Sequence, residues 1–374
     1  MKRYCCLLLI LWLFSCGKEK QIDLKEIPVD FNQNSPVLLS EIAEEITAIE
    51  LELTDESIIN PDRIKRIVIS EDYIFVGGID KIFVFNKEGK FVRSIGSKGQ
   101  GPGEYRTIRN FDIDEKNERL FVNAWHKIIC YDLQGILLKE TLLIPETEFI
   151  VDVSYINDEL LIIGYQSGRE DANGLFNHSA IYHLNDEFQI IDSCTIMKIY
   201  ERFGFSTSGT EEYILWADST VYFYYPYFYP SPAYFPNHLP PLSKAILRDT
   251  MYRFENNQLV PELKLKLKND GMDGSGNLFI DLQSVFRSSR YIFAKYMNYT
   301  KRDHPLYYFC YDTKTKKGSN MQDGYTDDVN GIDKPVRFLP LNSNPEMFYY
   351  WHTNMKPDDF EEPNPTLYIG KLKK

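Results

Sequence analysis

The sequence is short of the features that usually give a reaction away. Its six histidines are His126, His178, His183, His238, His304 and His352, and no two have the HExxH spacing of a zinc hydrolase. GxSxG is absent, which removes the nucleophile elbow of a serine hydrolase; Ser206 and Ser208 lie in a polar GFSTSGT loop. The acidic turns at Asp112–Asn117, Asn269–Gly274 and Asp323–Asn330 lack the Asp-x-Asp-x-Asp-Gly spacing of an EF-type calcium loop, and Asx turns between strands account for them. No motif implies a cofactor. Of six cysteines, three sit at the N-terminus, and Cys130, Cys194 and Cys310 each stand inside an apolar, strand-like stretch. An odd, widely spaced set without a CxxC pair reads as buried free thiols, not as a disulfide frame or a zinc site. Positive charge is scarce too: 42 Lys and Arg face 54 Asp and Glu, a net charge of −12, with no basic stripe. Such a chain has little attraction for nucleic acid. Convincing long helical periodicity is missing, and beyond the first residues no apolar run is long enough to cross a bilayer as a helix.

What is present begins at the N-terminus. Lys2 and Arg3 precede the apolar stretch Leu7 to Phe14, which is too short for a mature membrane span. Leu13-Phe14-Ser15-Cys16 follows, then the polar Gly17-Lys18-Glu19-Lys20. A small residue before a cysteine at the end of a signal core resembles the bacterial lipobox. The resemblance implies cleavage before Cys16, acylation of that residue, and a lipid-anchored location in the cell envelope, the outer membrane being expected. Residues 1–15 would then be a leader and 16–40 a lipidated tether. Loss of Lys2 and Arg3 takes the formal charge from −12 to −14.

The remainder reads as short strands with polar turns. Alternation marks Ile67-Val68-Ile69, Tyr73-Ile74-Phe75-Val76 and Ile82-Phe83-Val84-Phe85. Ser40 to Glu50 reads either as a short helix or as the lead into a strand at Ile49 to Leu53. The 26 tyrosines and 24 phenylalanines suit sheets packed face to face. Five strand–turn–strand units align, with turns beginning at Asn86, Asp132, Asn185, Glu255 and Asp312. Further strand pairs precede most of them, and four strands every ~45–60 residues is the signature of propeller blades. Residues 336–370 supply only three strands of a sixth unit, so the orphan strand near Ile49 is expected to complete that blade. The fold class expected is all-β: a six-bladed propeller over 41–374, its blades four-stranded and antiparallel, closed by the N-terminal strand.

The stretch RSIGSKGQGPGEYRT, Arg93 to Thr107, raises a phosphate cradle as a first reading. A P-loop needs Gly-Lys-Ser/Thr opening a helix, and a dinucleotide loop also needs a helix; here more strand follows, with Pro102 inside the loop. The stretch instead resembles the NHL-type propeller repeat, in which a Gly-rich turn of form GxxGxGPGxF/Y leads into the next blade. With the lipobox and the acidic MQDGYTDDVNGI at Met321 to Ile332, the chain resembles the six-bladed propeller lipoproteins of Bacteroidota. That resemblance implies a surface or periplasmic binding scaffold with no assigned reaction.

YFYYPYFYPSPAYFPNHLPP, Tyr222 to Pro241, interrupts the fourth unit. Dense proline opposes sheet pairing, so part of the stretch is expected to leave the blade as a loop. Its aromatics either pack back on the propeller or offer flat faces with phenol donors to a ligand. The candidate binding residues are Trp216, Tyr222, Tyr224, Tyr225, Tyr227, Tyr229, Tyr234 and His238; no catalytic or metal-ligating residue is singled out. The expected function is a membrane-anchored scaffold for a glycan, a peptide or an envelope protein. The alternatives are a carbohydrate-active hydrolase or lyase with a composite site at the propeller channel, and a structural subunit of an envelope complex.

Overall fold

Asn86, Asp132, Asn185 and Asp312 each end an apolar strand and fold a side-chain oxygen back onto the chain. Asn86 Oδ1 accepts from the amides of Glu88 and Lys90 at 3.1 and 2.8 Å. Asp132 Oδ1 accepts from Gln134 and Ile136 at 2.9 and 2.8 Å, and Asn185 Oδ1 from Glu187 and Gln189 at 3.0 and 2.8 Å. Asp312 Oδ1 takes the amides of Lys314 and Thr315. These Asx turns each join the third and fourth strands of a sheet. The fifth such hairpin turns at Asn256 and Asn257, with φ of 49° and 55°, the left-handed pair that a two-residue hairpin favours.

The computed structural model describes residues 24–31, 34–141, 144, 146–200, 214–217, 220–225, 249–271, 279–301, 303–341, 344–355 and 362–374. They form six four-stranded antiparallel sheets arranged as a six-bladed β-propeller. From the inner strand outward, blade 1 is Arg66–Ile69, Tyr73–Gly77, Ile82–Asn86 and Phe91–Ile95, and blade 2 is Asn110–Asp114, Arg119–Asn123, Ile128–Asp132 and Leu137–Thr141. Blade 3 is Phe149–Ile156, Glu159–Asp171, Gly174–Leu184 and Ile190–Ile199; blade 4 is Ile214–Ala217, Thr220–Phe223, Thr250–Glu255 and Gln258–Lys266. Blade 5 is Ile280–Arg287, Tyr291–Asn298, Leu306–Asp312 and Lys317–Gln322. Blade 6 takes Leu339–Leu341, Asn344–His352 and Thr366–Leu372 from the C-terminus and its outer strand, Ala43–Glu50, from near the N-terminus.

That last pairing closes the ring. Ala48 lies opposite Tyr368 and Glu50 opposite Thr366, so the two ends of the propeller are hydrogen-bonded in one sheet. The closing strand runs ahead of the expected Ile49–Leu53. Both readings of Ser40–Glu50 hold in part: Leu39–Ile42 is a single helical turn, and the strand starts at Ala43.

Residues 25–40 differ from the tether expected there. Lys25–Pro28 adds a fifth strand to blade 4, parallel to Gln258–Lys266. Ile27, Val29, Val37 and Leu39 are buried, and Leu39 N donates to Thr326 O at 2.9 Å. Alternate apolar residues in this segment gave it a face to bury, which a tether does not have.

Strand alternation divides each blade between its neighbours. In blade 1, Phe75 and Val84 join the apolar cluster shared with blade 2, whereas Ile74, Val76, Phe83 and Phe85 join the one shared with blade 6. Similar clusters lie between blades 2 and 3 and between blades 3 and 4, and a larger one spans blades 4, 5 and 6 with the N-terminal segment. Cys130, Cys194 and Cys310 are buried in this packing with free thiols, and burial pushes the Cys130 thiol up to about 11.

Candidate functional site

The glycine-rich connector between blades 1 and 2 fills its own concavity. Glu104 Oε2 accepts from the Gly101 amide at 2.8 Å, and Glu140 Oε2 from the Gly103 amide at 3.0 Å. Tyr105 folds under the loop and donates to Ile95 O at 3.2 Å, and Tyr131 donates to Gly103 O. Two of the amides that would meet an anion are therefore held by the protein's own carboxylates. Gly96 and Gly103 have φ of 77° and 69°, which is why the chain needs glycine there.

The tyrosines leaving blade 4 are structural bolts in this fold. Tyr222, Tyr224 and Tyr225 are 6, 2 and 2% exposed. Tyr224 donates to Leu282 O of blade 5 at 2.9 Å, while the Tyr225 hydroxyl lies 3.2 Å from Ser179 Oγ of blade 3. The Tyr222 ring carries the Arg287 guanidinium 5.0 Å from its centroid. These three candidates thus join blade 4 to its neighbours from inside the core. Trp216 lies on the inner strand Ile214–Ala217. Tyr227, Tyr229, Tyr234 and His238 lie outside the described residues, as does Cys16.

Inner strands leave one backbone edge facing the propeller centre, and its N–H and C=O groups need partners. On blade 3 side chains from blades 1 and 2 supply them. Arg109 Nε donates to Val151 O at 3.0 Å, Arg66 Nη1 donates to Val153 O at 3.1 Å, and Tyr155 N donates to Asp112 Oδ2 at 2.9 Å. Asp152 lies among them: Asn110 Nδ2 donates to it, Arg66 Nη1 stands 3.7 Å away, and Ser154 Oγ is at 3.4 Å. Burial pushes the Asp152 carboxyl up to about 6 despite Arg66, with Asp112 adding to the rise; burial also raises Asp112. Asp281, on the inner strand of blade 5, is likewise raised by burial to about 6. The signal was available in the sequence as an acid inside the apolar runs NFDID, FIVDVSYI and IDLQSVFR. It was missed because an acid in a short strand looks like a turn residue.

A cavity of about 420 Å³ opens between blades 5 and 6, capped by the Pro61–Arg63 turn that enters blade 1. Cavities at the inner strands of blades 1–3 and between blades 2 and 3 are smaller, each about 250 Å³. Ser284, Val285 and Phe286 of the inner strand and Lys295 of the second strand of blade 5 form one wall of the large cavity; Phe338, Trp351 and His352 belong to the other. Phe286 stacks on Phe293 at 4.7 Å between centroids, and Phe338 meets Phe293 edge-on at 5.2 Å. Lys295 stands across from Ser284 and Tyr308 in the sheet; burial, then the nearby Arg337 charge, lowers its ammonium to about 8. Burial also lowers His352, with Lys334 adding to the effect. None of these lining residues was singled out from sequence, because they come from separate blades and share no spacing.

The histidines are dispersed. His126 Nδ1 is 3.0 Å from Glu148 O, His178 Nε2 is 3.1 Å from Thr195 Oγ1, and His183 Nδ1 is 3.4 Å from Glu159 Oε2. Among the described residues no group of three or more His, Cys, Asp or Glu is arranged to hold a metal, and no helix is long and apolar enough to cross a membrane.

Six four-stranded sheets around one axis, closed across the chain ends, make this a six-bladed β-propeller with a lateral cavity. Residues 20–374 match the family described as Domain of unknown function (DUF4934), and the chain belongs to it. A search of curated proteins found no match. Among solved structures, a Bacteroides fragilis protein described as exported is similar with a TM-score of 0.62 and 17% identity, over 94% of this chain and 100% of that one. A protein of unknown function from Bacteroides caccae gives 0.43 and 12%, over 80% and 90% of the two chains. The extracellular domain described for a hybrid two-component system of B. thetaiotaomicron gives 0.43 and 11%, over 85% and 35%. At these identities the likeness is one of fold.

Proposed function

We propose that this protein is a ligand-binding propeller of the cell envelope, tethered to membrane by lipid on Cys16, with the cavity between blades 5 and 6 as its ligand seat. The observation that carries this reading is the cavity. At about 420 Å³ it has the size of a small-molecule site and combines aromatic walls with a few polar groups. The inner-strand side chains of blades 1–3 are engaged with one another and with the blade 3 edge, so a ligand is better served by blades 5 and 6. A channel-centred hydrolase or lyase would need a carboxyl pair open to substrate, whereas Asp112 and Asp152 are 6 and 1% exposed. The lipobox-like Leu13-Phe14-Ser15-Cys16 and the exported description of the Bacteroides fragilis neighbour support the envelope location.

The test is a glycan and peptide array read with the domain from residue 24 onward, repeated with Trp351→Ala. Binding that Trp351→Ala abolishes, while the melting temperature holds, supports the seat. Undiminished binding by the variant removes the cavity from the account. For the anchor, Cys16→Ser is expected to move the full chain from the membrane fraction to the soluble one.

A further inference from the structure

The two ends of each blade differ, and the chain reaches the propeller from one of them. Hairpins from first to second strand and from third to fourth lie on one face of the ring. The second-to-third and fourth-to-first connections, such as those leaving Ile95 and Gln322, lie on the other. Lys25–Pro28 runs parallel to Gln258–Lys266, whose Gln258 end adjoins the hairpin turn at Asn256 and Asn257. The N-terminal end of this added strand therefore points toward the hairpin face at the rim of blade 4. Fully extended, the chain from Cys16 to Lys25 spans at most about 30 Å, less than the roughly 50 Å width of a globular domain of this size. Whatever holds Cys16 keeps that side of the propeller close to it.

The same face carries unpaired positive charge on the next blade. Lys314 and Lys316 in the third-to-fourth turn of blade 5, and Lys317 at the head of its fourth strand, are all exposed. None of the three is ion-paired among the described residues. Asp312, the acid that opens the turn, is taken by Arg290 at 2.7 Å. On the turns of blade 3, by contrast, Asp158 and Asp186 pair with Lys116 and Arg119 of blade 2. In a chain of net charge −12, three free lysines on one turn need a partner from outside.

Resting on the reading of Cys16 as the lipid anchor, we infer that the hairpin face of blades 4 and 5 is the membrane-facing surface of the protein, with Lys314, Lys316 and Lys317 meeting anionic head groups of the bilayer that carries the anchor. A lysine beside an anionic bilayer favours contact by about fivefold, and the attraction fades within a Debye length. An acidic protein gains from it only when a short tether already holds the right face near. The opposite face then turns away from the lipid. Asp62 and Arg337, which line the cavity between blades 5 and 6, stand on fourth-to-first connections of that opposite face, so the seat opens away from the membrane.

The experiment uses the lipidated full chain in vesicles of phosphatidylethanolamine and phosphatidylglycerol. A donor dye on Thr315→Cys, in the lysine turn, or on Glu56→Cys, on the opposite face, reports its distance from an acceptor on the lipid head groups; Cys130, Cys194 and Cys310 are buried and stay unlabelled. Energy transfer is expected to be several-fold more efficient from Thr315 than from Glu56. The combined variant Lys314→Gln, Lys316→Gln and Lys317→Gln, all at exposed positions, is expected to cut that ratio at least by half, as is replacing phosphatidylglycerol with phosphatidylcholine. Equal transfer from the two positions, or more from Glu56, with the protein still on the vesicles, overturns the orientation and leaves the anchor standing. A ratio that neither change moves overturns the head-group contact. A Cys16→Ser chain that stays with the vesicles as wild type does overturns the anchor on which the inference rests.

Discussion

Arg66 Nη1 stands 3.7 Å from Asp152 Oδ1, so a side chain at the head of blade 1 reaches blade 3 at the centre of the ring. Both residues are buried, at 3 and 1% exposure. The guanidinium also holds Val153 O at 3.1 Å, which makes it both a counter-ion and a backbone partner. Arg66→Met removes both at once and leaves two buried carboxyls facing an unpaired carbonyl. The expected cost is about 3 kcal/mol, read from urea unfolding at pH 7. A loss below roughly 1 kcal/mol would show that the centre reorganises around the gap.

Asp152 is expected to respond differently. Burial raises its carboxyl from 3.8 to about 6 in the folded chain. Between those values the folded protein holds a proton that the unfolded chain has released, so the contribution of Asp152 to stability declines as pH rises from about 4 through about 6. Asp152→Asn lacks that titration. Relative to wild type, the variant should gain on the order of 2 kcal/mol between pH 4 and pH 7, and the two should be near equal at the acid end. Parallel stability curves across that window would show that Arg66 neutralises the carboxylate fully.

Gly96 and Gly99 separate architecture from anion binding. A Cβ on Gly96 would come within 2.1 Å of Tyr105 Oη at a φ of 77°, and one on Gly99 within 1.9 Å of Glu104 Oε2. Gly96→Ala must displace a buried ring and is expected to cost about 2 kcal/mol. Gly99→Ala meets only the end of a flexible side chain and should cost less than about 1 kcal/mol. Thermal melts check both. Addition of ATP or pyrophosphate should leave the wild-type melt unmoved, since Glu104 and Glu140 already occupy the Gly101 and Gly103 amides.

The Gly-rich connector also shows what was legible beforehand. Blade number, hairpin turns and the closing strand were open to view because each rests on local chemistry: alternation, an Asx residue at a strand end, a glycine at positive φ. The packing of Lys25–Pro28 on blade 4 was not, since a parallel edge strand is set by a partner more than 200 residues away. Three of the candidate residues show how such a site is hard to read. Tyr222, Tyr224 and Tyr225 stood out by density, but density of tyrosine signals burial as readily as recognition. Lys295, Arg337, Trp351 and His352 come together only once blades 5 and 6 are placed side by side.

Tyr224→Phe and Tyr225→Phe test the bolt reading. Each removes one hydroxyl from a core contact, to Leu282 O or to Ser179 Oγ, without opening a cavity. Tyr224→Phe leaves its carbonyl partner on an inner strand, so a loss of about 1 kcal/mol is expected, with Tyr225→Phe similar or smaller. Neither should change binding on the glycan and peptide array. A variant that folds at wild-type stability yet loses array binding would return these tyrosines to the ligand account.

Ring closure gives the widest separation between two truncations. Removing the chain through Pro28 takes away the fifth strand of blade 4, with the Ile27 contact and the Glu26–Lys266 ion pair, and leaves every blade with its four strands. Removing it through Glu50 strips the outer strand from blade 6 and exposes the backbone edge of Thr366–Leu372, where Ala48 had paired Tyr368. An unpaired strand edge at the seam also opens the interface between the chain's first and last blades. The shorter truncation is expected to melt cooperatively at a lowered temperature. The longer one should lose its cooperative transition and associate, read by far-UV circular dichroism with size-exclusion chromatography. A monomeric, cooperatively melting product from the longer truncation would mean that blade 6 holds with three strands, and that the seam is secured by the apolar cluster of Leu341, Tyr349 and Leu367 against blade 1.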